Sequence, residues 1–137
     1  MRVRIDVLPL ILEARRVLVA EVIGGYHGQA GLGRWWLPST VLAEGEQPGE
    51  AAARTLREQL GLGLDGAVVV GARQARIGEA WQLGLVVAGE VVGDAPRPAP
   101  PVSGHAARTL AELPDQVGFW HRDDLAVLVA RYERLRA

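Results

Sequence analysis

The chain has 137 residues, with Lys+Arg 15 against Asp+Glu 16 and a formal charge of -1. That length fits one domain and buries roughly two-thirds of the surface its unfolded chain exposes. Near-neutral charge gives no case for a nucleic-acid polymer or an anionic membrane as partner, and the lack of cysteine excludes a disulfide framework, a thiolate metal site and cysteine catalysis. All 15 basic residues are Arg, so neither a P-loop lysine nor a Schiff-base lysine is available.

In chain order, Val3, Ile5, Val7 and Leu10 to Leu12 make one apolar strand-like segment, Ala14-Arg15-Arg16 a break, and residues 17–23 the next strand. The opening segment is short and contains Pro9, with Glu13, Arg15 and Arg16 after it, so no export signal is expected there. No run approaches the ~18 apolar residues of a membrane span, and a cytoplasmic location is expected. A Gly-rich loop is expected over 24–33, then an extended Trp35-Trp36-Leu37 that Pro38 ends.

Residues 48–60 change to helical period. Pro48 suits a first turn, Glu50 the positive helix end, and Gly61 the stop. Ala52, Leu56 and Leu60 share one face. Two strands are expected over 67–72 and 83–92, turning at Gly78-Glu79, followed by a surface loop over 94–101 that holds four of the eight prolines. A short helix is expected over 103–113, ended by Pro114. A last helix carries an apolar stripe of Leu125, Leu128, Val129, Tyr132 and Leu135, with Arg131, Arg134 and Arg136 on a solvated face. The order implies one α/β domain, residues 1–137, with helices packed on a mixed sheet.

Gly61-Leu62-Gly63-Leu64-Asp65-Gly66 matches G-x-G-x-x-G, but a helix precedes it and a strand follows. That is the reverse of a dinucleotide site, so the glycines read as a helix stop and a turn.

The stretch Trp35-Trp36-Leu37-Pro38 through Leu62 resembles the Nudix hydrolase (MutT-like) family, whose box reads G-x5-E-x7-R-E-U-x-E-E-x-G-U, with U aliphatic. Trp35, Leu37 and Pro38 match the lead-in, Glu46 the first glutamate, Ala51-Ala52 the alanine pair, Arg54 the arginine, Leu56 the aliphatic position, Glu58 the first of the paired glutamates, and Gly61-Leu62 the ending. Phe119-Trp120-His121-Arg122-Asp123-Asp124-Leu125 resembles the family's approach to its last helix. The resemblance implies an α/β/α sandwich with a mixed sheet.

It also implies catalysis by Mg²⁺ or Mn²⁺ held by three carboxylates of one helix face. Here those positions hold Thr55, Glu58 and Gln59, and the lead-in Gly-Gly is Ser39-Thr40. The box is degenerate: two of its three metal-ligand glutamates are replaced. Through the resemblance, Glu58 is the candidate ligand, with Glu44 as a second; Glu58, Arg54 and Glu46 are the candidate catalytic set. Arg54 is expected to pair with Glu50 and Glu58 at i±4. Trp35 is expected in the core and Trp36 on the opposite face, either packed in the core or an interface or stacked on a nucleobase; Glu79 is a further candidate substrate contact. Glu112 and Asp115 are weaker candidates for an extra carboxylate, and His27, His105 and His121 lack metal-ligand spacing.

Two functions follow. One is a hydrolase of nucleoside diphosphates linked to another moiety, with a non-standard metal site. The other is an inactive Nudix-fold module, needing no cofactor, that binds a nucleotide, metabolite or protein partner. A nucleotide-like small molecule is the expected partner under the first and one option under the second. No membrane is expected, and a homodimer built on the Pro-rich loop is a third, separate idea.

Overall fold

The structure is a computed structural model that describes residues 2–22, 35–77, 79–93 and 95–136. The expected Gly-rich loop, His27 and the Gly78 half of the expected turn lie outside them.

The elements are β1 (Arg2–Ile11), β2 (Arg16–Val22), β3 (Trp35–Trp36), β4 (Ser39–Val41), α1 (Pro48–Leu60), β5 (Gly63–Ile77), β6 (Ala80–Val92), β7 (Val102–Thr109), β8 (Gln116–Val117), β9 (Trp120–His121) and α2 (Arg122–Arg136). Seven strands form one mixed sheet, β3-β2-β1-β6-β5, with β4 on β1 and β7 on β2. β1 runs parallel to β6 and antiparallel to β2 and β4.

β1 is buried on both faces, and alternation sorts its side chains. Ile5 and Val7 join Val87 under Ala51 and Ala52 of α1. Leu8 and Leu10 join Val86, Val70 and the α2 residues Leu125, Leu128, Val129 and Tyr132. The two helices thus cover the two faces of the sheet, giving the expected α/β/α sandwich.

α1 matches its expected span. Glu50 accepts from the Gln47 backbone N–H at 3.1 Å, closing the first turn. Gly61 ends the helix at φ 68, a conformation costly for any residue with a Cβ. The Pro-rich loop covers the same helix end: Arg97 N–H donates to Leu60 O at 2.7 Å and Ala99 N–H to Gln59 O at 3.0 Å. These bonds satisfy carbonyls that a helix leaves open.

Four expectations change. Residues 102–109 are a strand, because pairing with β2 satisfies their backbone where a short isolated helix would not pack; only Leu110–Glu112 form a 3₁₀ turn. The strands expected over 67–72 and 83–92 run longer, as a hairpin with β-bulges near Asp65 and Val69. Gly66 falls at the first bulge with φ 65, so it belongs to a strand and not to the turn expected after α1. Leu135 is exposed, so the buried stripe of α2 ends at Tyr132.

Candidate functional site

The box positions lie on α1 and the segment before it. Glu46 and Arg54 form a fork: Arg54 Nε donates to Glu46 Oε2 at 2.9 Å and Nη2 to Oε1 at 3.0 Å. Glu46 Oε1 also accepts from Ala43 N–H at 3.2 Å, so the pair ties the loop to the helix. Arg54 reaches Glu58 at 3.5 Å. Glu50 is committed to its cap, so the expected Glu50–Arg54 pair gives way to Glu46–Arg54.

The Arg54 guanidinium holds the Glu46 carboxyl below the usual carboxylate range, helped by the Ala43 N–H. Because folding lowers this pKa, its stabilisation is complete above the unfolded value of ~4.3 and is lost as pH falls through the folded value. The stability gap between wild type and Glu46→Gln is therefore expected to stay constant above pH ~5 and to close below it. Urea titrations of both proteins across pH 3–7 measure this; a gap that widens in acid would contradict the pairing.

The remaining box positions point elsewhere. Thr55 is buried, and its hydroxyl donates to Ala51 O at 2.7 Å. Gln59 is buried, and its Nε2 donates to Ser39 O at 2.8 Å. The Glu58 side chain is 58% exposed. Glu44 and Glu79 are exposed residues of turns. Ser39 and Thr40, where the lead-in would have glycines, are extended residues of β4 paired to Asp6 and Ile5.

A divalent cation needs several negative or well-aimed oxygens at once. On this helix face one hydroxyl is turned into its own helix, one side chain aims an amide N–H at the nearest carbonyl, and one carboxylate stands alone beside Arg54. Among the described residues no three of His, Cys, Asp and Glu converge on one point. The residues present do not fit the Mg²⁺ or Mn²⁺ that the resemblance implies.

Both tryptophans pack inward, on opposite faces of the sheet, and Trp36 is the more deeply buried. Trp36 is 2% exposed and meets Phe119 edge-on at 5.2 Å, whereas Trp35 is half-buried. The reason lies in the turn after β8. Gly118 sits at φ 58, its N–H donates to Trp35 O at 2.8 Å, and a Cβ there would lie 2.6 Å from the Trp36 ring. This turn seals Trp36 beneath it, so no face of that ring is free to stack on a base. Glu112 caps Thr109, and Asp115 pairs with Arg122 at 3.1 Å.

One polar group escaped the sequence reading. Arg4 is 0% exposed and forks onto Asp6 at 3.1 and 3.0 Å. Trp120 Nε1 donates to the same carboxylate at 2.9 Å, and the Arg4 guanidinium lies 4.3 Å over the Phe119 ring. Arg73 sits 5.2 Å over Trp120. The signal available was the Arg-x-Asp pair inside an otherwise apolar strand, where alternation places both on one face.

No protein-family model and no curated protein matches the chain. Solved structures do. A MutT protein from Methanosarcina mazei Go1 superposes with a TM-score of 0.76 at 19% identity, covering 98% of this chain and 94% of that one. An ADP-ribose pyrophosphatase from Streptococcus suis gives 0.74 at 15% identity over 99% and 92%. The NUDIX domain of Shewanella oneidensis NrtR, complexed with ADP ribose, gives 0.71 at 20% identity over 97% and 87%. With its mixed sheet between α1 and α2, the chain has the fold of the Nudix hydrolases.

Proposed function

We propose that this chain is a Nudix-fold binding module for a nucleotide-like small molecule, a nucleoside diphosphate linked to a second group, and that it does not hydrolyse that ligand by the helix-borne metal route. One observation carries the reading: Thr55 and Gln59, at two of the three box ligand positions, are neutral, buried and hydrogen-bonded to backbone carbonyls. Glu58, Arg54 and Glu46 then serve as a surface ion-pair chain that holds the loop to α1.

The ligand class is supported by the shared fold with a domain complexed with ADP ribose. With no lysine in the chain, the ligand's phosphates are met by Arg or by backbone N–H groups. The competing reading keeps Glu58 as metal ligand, with Glu44 and a carboxylate from another loop completing a Mg²⁺ or Mn²⁺ site.

Calorimetry with ADP-ribose in EDTA and then in Mg²⁺ is expected to give the same affinity, and no AMP is released in Mg²⁺ or Mn²⁺. Robust metal-dependent turnover of ADP-ribose or another nucleoside diphosphate derivative would sink the reading.

A further inference from the structure

The Gln59–Ser39 contact spans 20 residues of sequence and ties α1 to β4. Both residues are buried, and the distance is 2.8 Å, a well-formed N–H···O bond. Consider the same side chain with its amide nitrogen replaced by oxygen. Two oxygens, one of them charged, would then face each other at hydrogen-bond distance with no donor between them. Such a pair is tolerable only if a cation or a proton sits between the oxygens.

We propose that the Gln59 amide does in this chain what a bound cation would otherwise have to do, holding α1 against the Ser39 carbonyl, so that the α1–β4 junction is cation-independent. Gln59 is a positioning residue: it supplies the donor that a metal would replace by coordination. Thr55 completes the change, because its hydroxyl is spent on Ala51 O, one turn back along α1. The inference deepens the reading of the helix face given above but does not depend on which ligand the protein binds.

Melting curves of wild type, Gln59→Glu and Gln59→Met, each in EDTA and in 10 mM Mn²⁺, test it. Wild type is expected to melt at the same temperature in both. Gln59→Glu at pH 7.5 in EDTA is expected to melt roughly 5–10 °C lower, because a buried carboxylate then faces the Ser39 carbonyl oxygen. Mn²⁺ should recover much of that loss. Lowering the pH toward 5 should also narrow its deficit relative to wild type, because a protonated carboxyl donates to Ser39 O as the amide does. Gln59→Met is expected to melt lower than wild type, with no recovery in Mn²⁺ or acid, which separates loss of the donor from loss of packing.

A wild-type melting point raised several degrees by Mn²⁺ would overturn the proposal. So would a Gln59→Glu deficit that is the same in EDTA, in Mn²⁺ and at pH 5. ADP-ribose calorimetry on wild type reports separately on the ligand reading, so either conclusion can fail alone.

Discussion

Asp6→Ala is expected to destabilise the protein by about 3–5 kcal/mol, the range for removing one partner of a buried ion pair. The carboxylate serves two donors, the Arg4 guanidinium and Trp120 Nε1. Its loss leaves a full positive charge in a side chain that is 0% exposed. Arg4 has little in reserve. Its Nη1 has no hydrogen-bond partner among the described residues, and the Phe119 face is its remaining favourable neighbour. Removing both charges together, as in Arg4→Met with Asp6→Leu, is expected to cost less than Asp6→Ala alone. The uncompensated charge then disappears, and only the Trp120 N–H is left wanting. Urea denaturation of the two variants and of Arg4→Met measures the coupling; independent, additive losses would show that the pair is not a unit.

Trp36→Ala is expected to cost about 3–5 kcal/mol, the usual loss when a large aromatic is removed from a core. The ring is 2% exposed, packs beside Leu18, Ala20, Val22 and Leu56, and meets Phe119 edge-on. Its removal opens a void under the Gly118 turn and takes away the edge of the platform that carries Phe119 and, through it, Arg4. Trp35→Ala is expected to cost less, because Trp35 is only half-buried. Thermal or urea unfolding ranks the two. The opposite ranking would return Trp36 to the base-stacking role considered from the sequence.

Much of the fold was legible because local rules agreed with one another. α1 carried a proline for its first turn, an acid for its positive end, a period-3.6 face and a glycine to stop it. Leu125, Leu128, Val129 and Tyr132 likewise marked the buried stripe of α2. Local rules failed where a distant partner decided. His105, Ala106 and Ala107 suit a helix as well as a strand, and pairing with Ala20, Val19 and Leu18 made them a strand. Trp35 and Trp36 occupy adjacent, alternating positions that pack on opposite faces, and the turn at Gly118, more than 80 residues on, closes over Trp36.

For the site, the sequence by itself determined the inventory on the helix face: one carboxylate, Glu58, with Thr55 and Gln59 where the resemblance would place two more. It also determined that no lysine and no cysteine can enter the chemistry. What those side chains do was decided by the tertiary structure. Glu46 lies eight residues before Arg54, yet the loop's return brings them into a two-bond fork. Gln59 could have been a solvent-facing amide, and only the placement of β4 beside α1 sets its donor against Ser39 O. Arg4 and Asp6 are polar residues of an apolar strand, and the β8–β9 hairpin buries them under Phe119 and Trp120. Residue types set which bonds and charges are available; burial and long-range approach set which are made, because a polar group out of water must take whatever partner the fold brings within reach.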